Sequence, residues 1–219
     1  MAFGYSMGFL KAGQLNSFTG GVGWTMLVDE SNDLILISKI FEGGQVNYIS
    51  ISDPLEPANS TEDSQKFTKH VKQFRNVGSS LASGTFSIYG VNQTIYAFTM
   101  QYKSMTNRIE FLRYSKKKIL TLIKNVGIES ETINAMFGWA MLGVDLNGDG
   151  YTELVVGAPA QCDDDEYYET GALHIYTGGD LETIGKVNRM RSILGTKIGS
   201  RFGNAIASAD IDGDNIPGY

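Results

Sequence analysis

Residues 137–160 read FGWAMLGVDLNGDGYTELVVGAPA: a Phe-Gly pair, a short apolar stretch, an oxygen-rich loop, a β-branched stretch, and Gly157-Ala158-Pro159. The same opening returns at Phe202-Gly203, where FGNAIASADIDGDNIPG again leads through an apolar stretch into an acidic loop. A unit that recurs in this way constrains the fold more than any composition figure. One such unit cannot bury its apolar faces alone and has to stack on its neighbours. Two earlier starts complete the series, Phe3-Gly4-Tyr5-Ser6 and the degenerate Val77-Gly78-Ser79-Ser80. Starts at 3, 77, 137 and 202 lie 74, 60 and 65 residues apart, about one four-stranded unit plus a variable loop.

The strands are expected to be short and numerous. Twenty-six glycines against four prolines supply tight turns, and 42% hydrophobic against 19% charged residues is enough for a packed core. In the third unit the expected strands are 139–144, 152–156 and 171–176, then a turn at 177–180 and a fourth strand around 184–191. In the first, Gly20-Gly21-Val22-Gly23-Trp24 stands where Gly157-Ala158-Pro159 would be, and 34–40 reads as a strand. In the second, the strands fall at 94–100 and 108–112. The fold class is therefore all-β, with about three and a half four-stranded units in one domain spanning 1–219.

Chemistry concentrates in the two acidic loops. Asp145, Asn147 and Asp149 alternate, so three hard side-chain oxygens can surround one point. Gly150 permits a sharp turn, Tyr151 offers its carbonyl, and Glu153 closes the set. Calcium takes 6–8 oxygen ligands and suits such a flexible loop. The loop begins like an EF-hand, but that motif needs a bidentate Glu where Val156 stands, and its flanks are helices, whereas these read as strands. The second loop offers Asp210, Asp212, Asp214 and the Ile216 carbonyl. There Asn215 replaces a glycine, which is tolerable because Asn enters left-handed backbone conformations more readily than most residues. Gly218 stands where a closing acid belongs.

The Phe-Gly opening, the Asp-x-Asn-x-Asp-Gly loop and the Gly-Ala-Pro close resemble the FG-GAP repeat, and the order and spacing of units are similar to the β-propeller of integrin α subunits. The resemblance implies a partial β-propeller matching about blades three to six of seven. It implies calcium at Asp145, Asn147, Asp149, the Tyr151 carbonyl and Glu153, and again at Asp210, Asp212, Asp214 and the Ile216 carbonyl. The family usually closes the loop with Asp; Glu153 is one methylene longer. It further implies a non-enzymatic receptor subunit at the cell surface. Such a subunit pairs with an integrin β subunit, helps bind an extracellular matrix or cell-surface protein, and is anchored in the membrane by parts outside this stretch. Three and a half blades do not close a ring, so a longer protein is expected. The alternative is the non-catalytic propeller of an extracellular enzyme such as a glycosylphosphatidylinositol-specific phospholipase D.

The remaining features carry less. Asn59-Ser60-Thr61 and Asn92-Gln93-Thr94 are glycosylation sequons. Residues 53–65 read as a surface loop. The basic run over 113–124 reads as a strand edge made unattractive to strand addition by its lysines. Residues 163–166 read as a solvated acidic loop, and Cys162 as an unreactive thiol or the mate of a cysteine elsewhere. His70 and His174 are isolated in sequence, and His174 is expected to face away from Leu173 and Ile175. No nucleophile–base pair or zinc pattern is visible. A net charge of −6 gives no basis for nucleic-acid binding.

Overall fold

A computed structural model describes residues 25–39, 45–50, 79–101, 106–115, 120–162, 168–184, 186, 189–214 and 216–217. Among them every regular element is a strand. None forms a helix long and apolar enough to cross a membrane.

The first sheet is an antiparallel meander of β1 (Met26–Asp29), β2 (Leu34–Lys39) and β3 (Gln45–Ser50). The second runs β4 (Leu81–Ile88), β5 (Val91–Gln101), β6 (Asn107–Tyr114) and β7 (Leu120–Glu129), each paired antiparallel with the next. The third contains β8 (Met141–Val144), β9 (Glu153–Ala158), β10 (Ala172–Tyr176) and β12 (Arg189–Leu194). Between the last two strands, β11 (Gly179–Asp180) crosses back and pairs parallel with β4 at Phe86 and Ser87, stitching the third sheet to the second. Among the described residues after 197 none forms a strand, but Phe202 bridges to Gly171.

The sheets stack face to face, because three apolar clusters alternate with them. Leu34 and Leu36 of β2 meet Tyr96, Phe98 and Met100 of β5. Ile95 and Ala97, pointing to the other side of β5, join Met141, Leu154, Val156 and Tyr176 of the third sheet. Val155, Leu173 and Ile175 point the opposite way and pack with Val144 and with Ile206 of the last repeat. Strands covered on both faces lose the polar alternation of a half-exposed sheet. All six residues of β9 and all five of β10 are buried. This stacking of small antiparallel sheets, of three, five and four strands with β11 counted in the second, is the architecture of a partial β-propeller.

Several sequence expectations shift by a few residues. The first strand of the third unit begins at Met141, not residue 139, because Trp139 belongs to a turn in which its N–H donates to the Met136 carbonyl (3.0 Å). The last strand is Arg189–Leu194. Ile184, which suggested an earlier start, lies in a turn and is buried in the core, as is Leu181 before it. The expected turn at 177–180 is half strand, since Gly179–Asp180 is β11. The basic stretch leads into β7, the edge of its sheet, with Lys124 exposed. The starts at Phe3 and Val77, the glycines at 20–24, the loop 53–65, the sequon at Asn59, Lys116 to Lys118, His70 and the acids at 163–166 lie outside the described residues.

Candidate metal loops

The loop of residues 145–152 joins β8 to β9, so its flanks are strands. Its polar side chains fold it by short-range hydrogen bonds. Asp145 accepts from the N–H of Gly148 through Oδ1 and of Gly150 through Oδ2, both at 2.8 Å. Asn147 Oδ1 accepts from Asp149 N–H at 2.9 Å, and its amide donates to Asp149 Oδ2 at 3.0 Å. Asp149 Oδ1 accepts from Tyr151 N–H at 2.8 Å. Asx turns of this kind coil the chain around its own oxygens. Gly148 and Gly150 take φ of 74° and 85°, a left-handed conformation that favours glycine. Desolvation pushes the Asp145 carboxyl upward, but the N–H groups of Gly150, Gly148, Asn147 and Asp149 outweigh it and hold the group below the usual aspartate range.

The end of the loop is fastened from two sides. Glu153 is fully buried at the start of β9, where Oε2 accepts from Leu146 N–H (2.8 Å) and Oε1 from Gly178 N–H (3.1 Å). It thereby ties the loop to the segment leaving β10. Thr152, also buried, exchanges bonds with the preceding sheet: its N–H donates to the Thr85 carbonyl (3.0 Å), and its Oγ1 accepts from Thr85 N–H (2.8 Å). Nothing in the sequence singled out Thr152. The one available signal was a hydroxyl residue placed between an acidic loop and a buried strand.

The second loop repeats the first with an offset of 65 residues. Asp210 Oδ1 accepts from Gly213 N–H (2.7 Å), Asp212 Oδ1 from Asp214 N–H (3.4 Å), and Asp214 Oδ1 from Ile216 N–H (2.8 Å). These are the bonds made by Asp145, Asn147 and Asp149 to Gly148, Asp149 and Tyr151. Backbone signs follow the same register: φ is positive at Met136 and Arg201, at Gly138 and Gly203, and at Gly148 and Gly213. Asn215 and Gly218 lie outside the described residues.

Apart from the buried Glu153, both loops offer the hard, partly or fully exposed oxygens that a calcium-type cation takes. Among the described residues, three acidic side chains converge only in the second loop, where oxygens of Asp210, Asp212 and Asp214 lie within 4.8 Å of one another. In the first, Asp145, Asn147 and Asp149 share one turn, with Glu153 behind it. Every oxygen bonded to an N–H keeps a further lone pair for a metal. Asp145, Asn147, Asp149 and the Tyr151 carbonyl would hold a cation in the first loop, with Glu153 closing the set. Asp210, Asp212, Asp214 and the Ile216 carbonyl would hold one in the second. In the first loop such an ion would supply a fixed positive charge between the ends of β8 and β9.

The other candidates fall elsewhere. His174 faces away from Leu173 and Ile175, as expected, and is buried against Phe137 with ring centroids 5.7 Å apart. Its ring nitrogens bond Ser192 Oγ and Gln161 Oε1, each at 2.8 Å. Cys162 is half-buried, its sulfur accepting from Glu169 N–H at 3.2 Å.

Comparison with known proteins matches the FG-GAP repeat family model to residues 137–176, the span from the Phe-Gly pair through the first loop to the end of β10. An integrin alpha-4 from Xenopus laevis is 31% identical over 166 residues, 72% of this chain and 15% of that protein. Integrin alpha-PS5 from Drosophila melanogaster is 29% identical over 143 residues, 64% of the chain and 14% of that protein. A phosphatidylinositol-glycan-specific phospholipase D from mouse is 35% identical over 86 residues, 38% of the chain and 10% of the enzyme. The chain thus spans well under a fifth of the length of these relatives. With its stacked sheets, its repeated loops and these similarities, the chain is part of an FG-GAP β-propeller.

Proposed function

We propose that the chain forms part of the head of an integrin α-type adhesion subunit. In this reading it pairs with a β subunit at the cell surface and helps bind an extracellular matrix or cell-surface protein. Calcium in the two loops is structural. The observation that carries the reading is the extent of the likeness: it reaches 72% of the chain for the integrin alpha-4 and 57% for the bovine phosphatidylinositol-glycan-specific phospholipase D. Both likenesses extend beyond the single repeat at residues 137–176, the integrin one further. The fold alone would not choose, since one propeller serves several functions.

The phospholipase D similarities favour a second reading, in which the same propeller accompanies a hydrolase domain and does no chemistry itself. Affinity purification of the tagged full-length protein from its own cells separates the two. The first reading expects a β-type subunit to co-purify in a complex lost on chelating divalent cations. A phosphodiesterase activity with no such partner would replace it by the second. For the metal, calorimetric titration of the intact propeller should show less calcium uptake by Asp145→Ala and Asp149→Ala than by wild type. Equal uptake in all three would remove calcium from the first loop.

A further inference from the structure

The two loops lie side by side. A Cβ placed on Gly148, at the tip of the first loop, would stand 3.3 Å from Ile216 Cδ1 and 3.6 Å from its Cγ1, so the Ile216 side chain occupies the space beside that glycine. Both ends of the contact are one hydrogen bond from a candidate ligand. Gly148 N–H donates to Asp145 Oδ1, and Ile216 N–H donates to Asp214 Oδ1, each at 2.8 Å. Ile216 is exposed, at 36%, so its side chain reaches Gly148 from the solvent side. Its counterpart 65 residues earlier is Tyr151, whose Cβ lies 2.9 Å from where a Cβ on Gly178 would stand, inside its own repeat. The inter-loop contact therefore has a direction, from the second loop onto the first.

The geometry points to energetic coupling between the loops: a cation in the second loop fixes Ile216, Ile216 steadies the Gly148 turn, and the first loop then binds its own cation more tightly. This inference rests on the calcium reading of both loops. The ordering of Gly148 is part of what the first loop must achieve to present Asp145. A contact that achieves it in advance lowers the cost of binding there. Reciprocity follows, because a coupling free energy belongs to the pair of sites: filling the first loop must tighten the second by the same factor. Apolar contact is well suited to the role, since it transmits position without competing for the metal.

The test uses terbium in place of calcium on the full-length protein, with emission sensitised through Tyr151 reporting the first loop. Tyr151→Phe keeps the carbonyl and identifies the signal by removing it. Asp212→Asn, which weakens the second loop, should lower first-loop affinity about fivefold or more, the usual floor for such coupling. Ile216→Ala, which also keeps its carbonyl, should lower it similarly. Adding Asp212→Asn to Ile216→Ala should then have little further effect. First-loop affinity unmoved by Asp212→Asn would overturn the coupling, and affinity lowered as much in the Ile216→Ala background as in wild type would overturn its route through Ile216; either result leaves the calcium reading standing. No Tyr151-dependent emission in the wild type, with no calcium uptake by calorimetry, would overturn both.

Discussion

Asp29 shows how one side chain can hold a turn and a sheet contact together. It ends β1 and accepts from Ser31 Oγ (2.5 Å), Asn32 N–H (3.1 Å) and the Asn32 amide (2.8 Å), which shapes the hairpin to β2. It also accepts from the Tyr96 hydroxyl at 2.6 Å, reaching β5 of the next sheet. Partial desolvation pushes the carboxyl upward, but the bonds from Ser31, Tyr96 and Asn32 outweigh it and leave it below the usual aspartate range. Burial first, and the Asp29 carboxylate second, push the Tyr96 hydroxyl well above the usual tyrosine range. A carboxyl depressed in the folded state stabilises the protein above its unfolded value, about 3.9, and that contribution fades as pH falls through the lower folded value. We expect Tyr96→Phe to cost about 1.5–3 kcal/mol near neutral pH, the range for a hydrogen bond to a charged group. Denaturant unfolding of the intact protein at several pH values checks this. The gap between wild type and Tyr96→Phe should narrow on acidification; a gap that widens would reverse the sign of the argument.

At the scale of the element, the strands were legible in the sequence wherever apolar runs met turn residues, and less so where sheets touch each other. β9 and β10 were readable as strands because both faces are covered and the residues are nearly all apolar. The starts of β8 and β12 were not, since Trp139 and Ile184 are apolar residues serving turns. The acidic turns of both loops and their spacing could also be read, being local. The Thr152–Thr85 bonds and the approach of Ile216 to Gly148 could not, because each joins residues from different repeats. Gly157 belongs to this second kind: an added Cβ there would lie 1.9 Å from the Gly203 carbonyl oxygen, backbone against backbone. The second glycine is that of the next Phe-Gly pair, so two motif positions are read correctly only together. Gly157→Ala should force the last repeat away from the third sheet and cost about 1–3 kcal/mol, as overpacking does. Thr152→Val leaves the Thr85 N–H without its hydroxyl acceptor beside a buried strand and should cost a similar amount, about 1–3 kcal/mol. Thermal melts of the two variants decide both; a melting temperature equal to wild type would mean that the sheets adjust freely at these contacts.

For the whole molecule, stability comes from sheets stacked side by side, and the loops sit where that stacking is tied. The first loop is fastened to the preceding sheet by Thr152 and Thr85, to its own sheet by Glu153 and Gly178, and to the next repeat by Ile216. A cation held there would act on three neighbouring repeats at once. Each site filled only in the folded state adds RT ln(1 + [L]/Kd), about 2.7 kcal/mol at a hundredfold excess of metal over Kd and about 4.1 at a thousandfold. We therefore expect chelation of calcium to lower the melting temperature of the intact propeller by several degrees. The shift should be smaller in Asp145→Ala, which has less metal to lose, and smaller again in Asp145→Ala combined with Asp212→Asn. Scanning calorimetry of the three proteins with and without chelator checks the order. The same chelation shift in all three would mean that the loops hold their shape by their own Asx turns, and that calcium, wherever it binds, stabilises some other part of the protein.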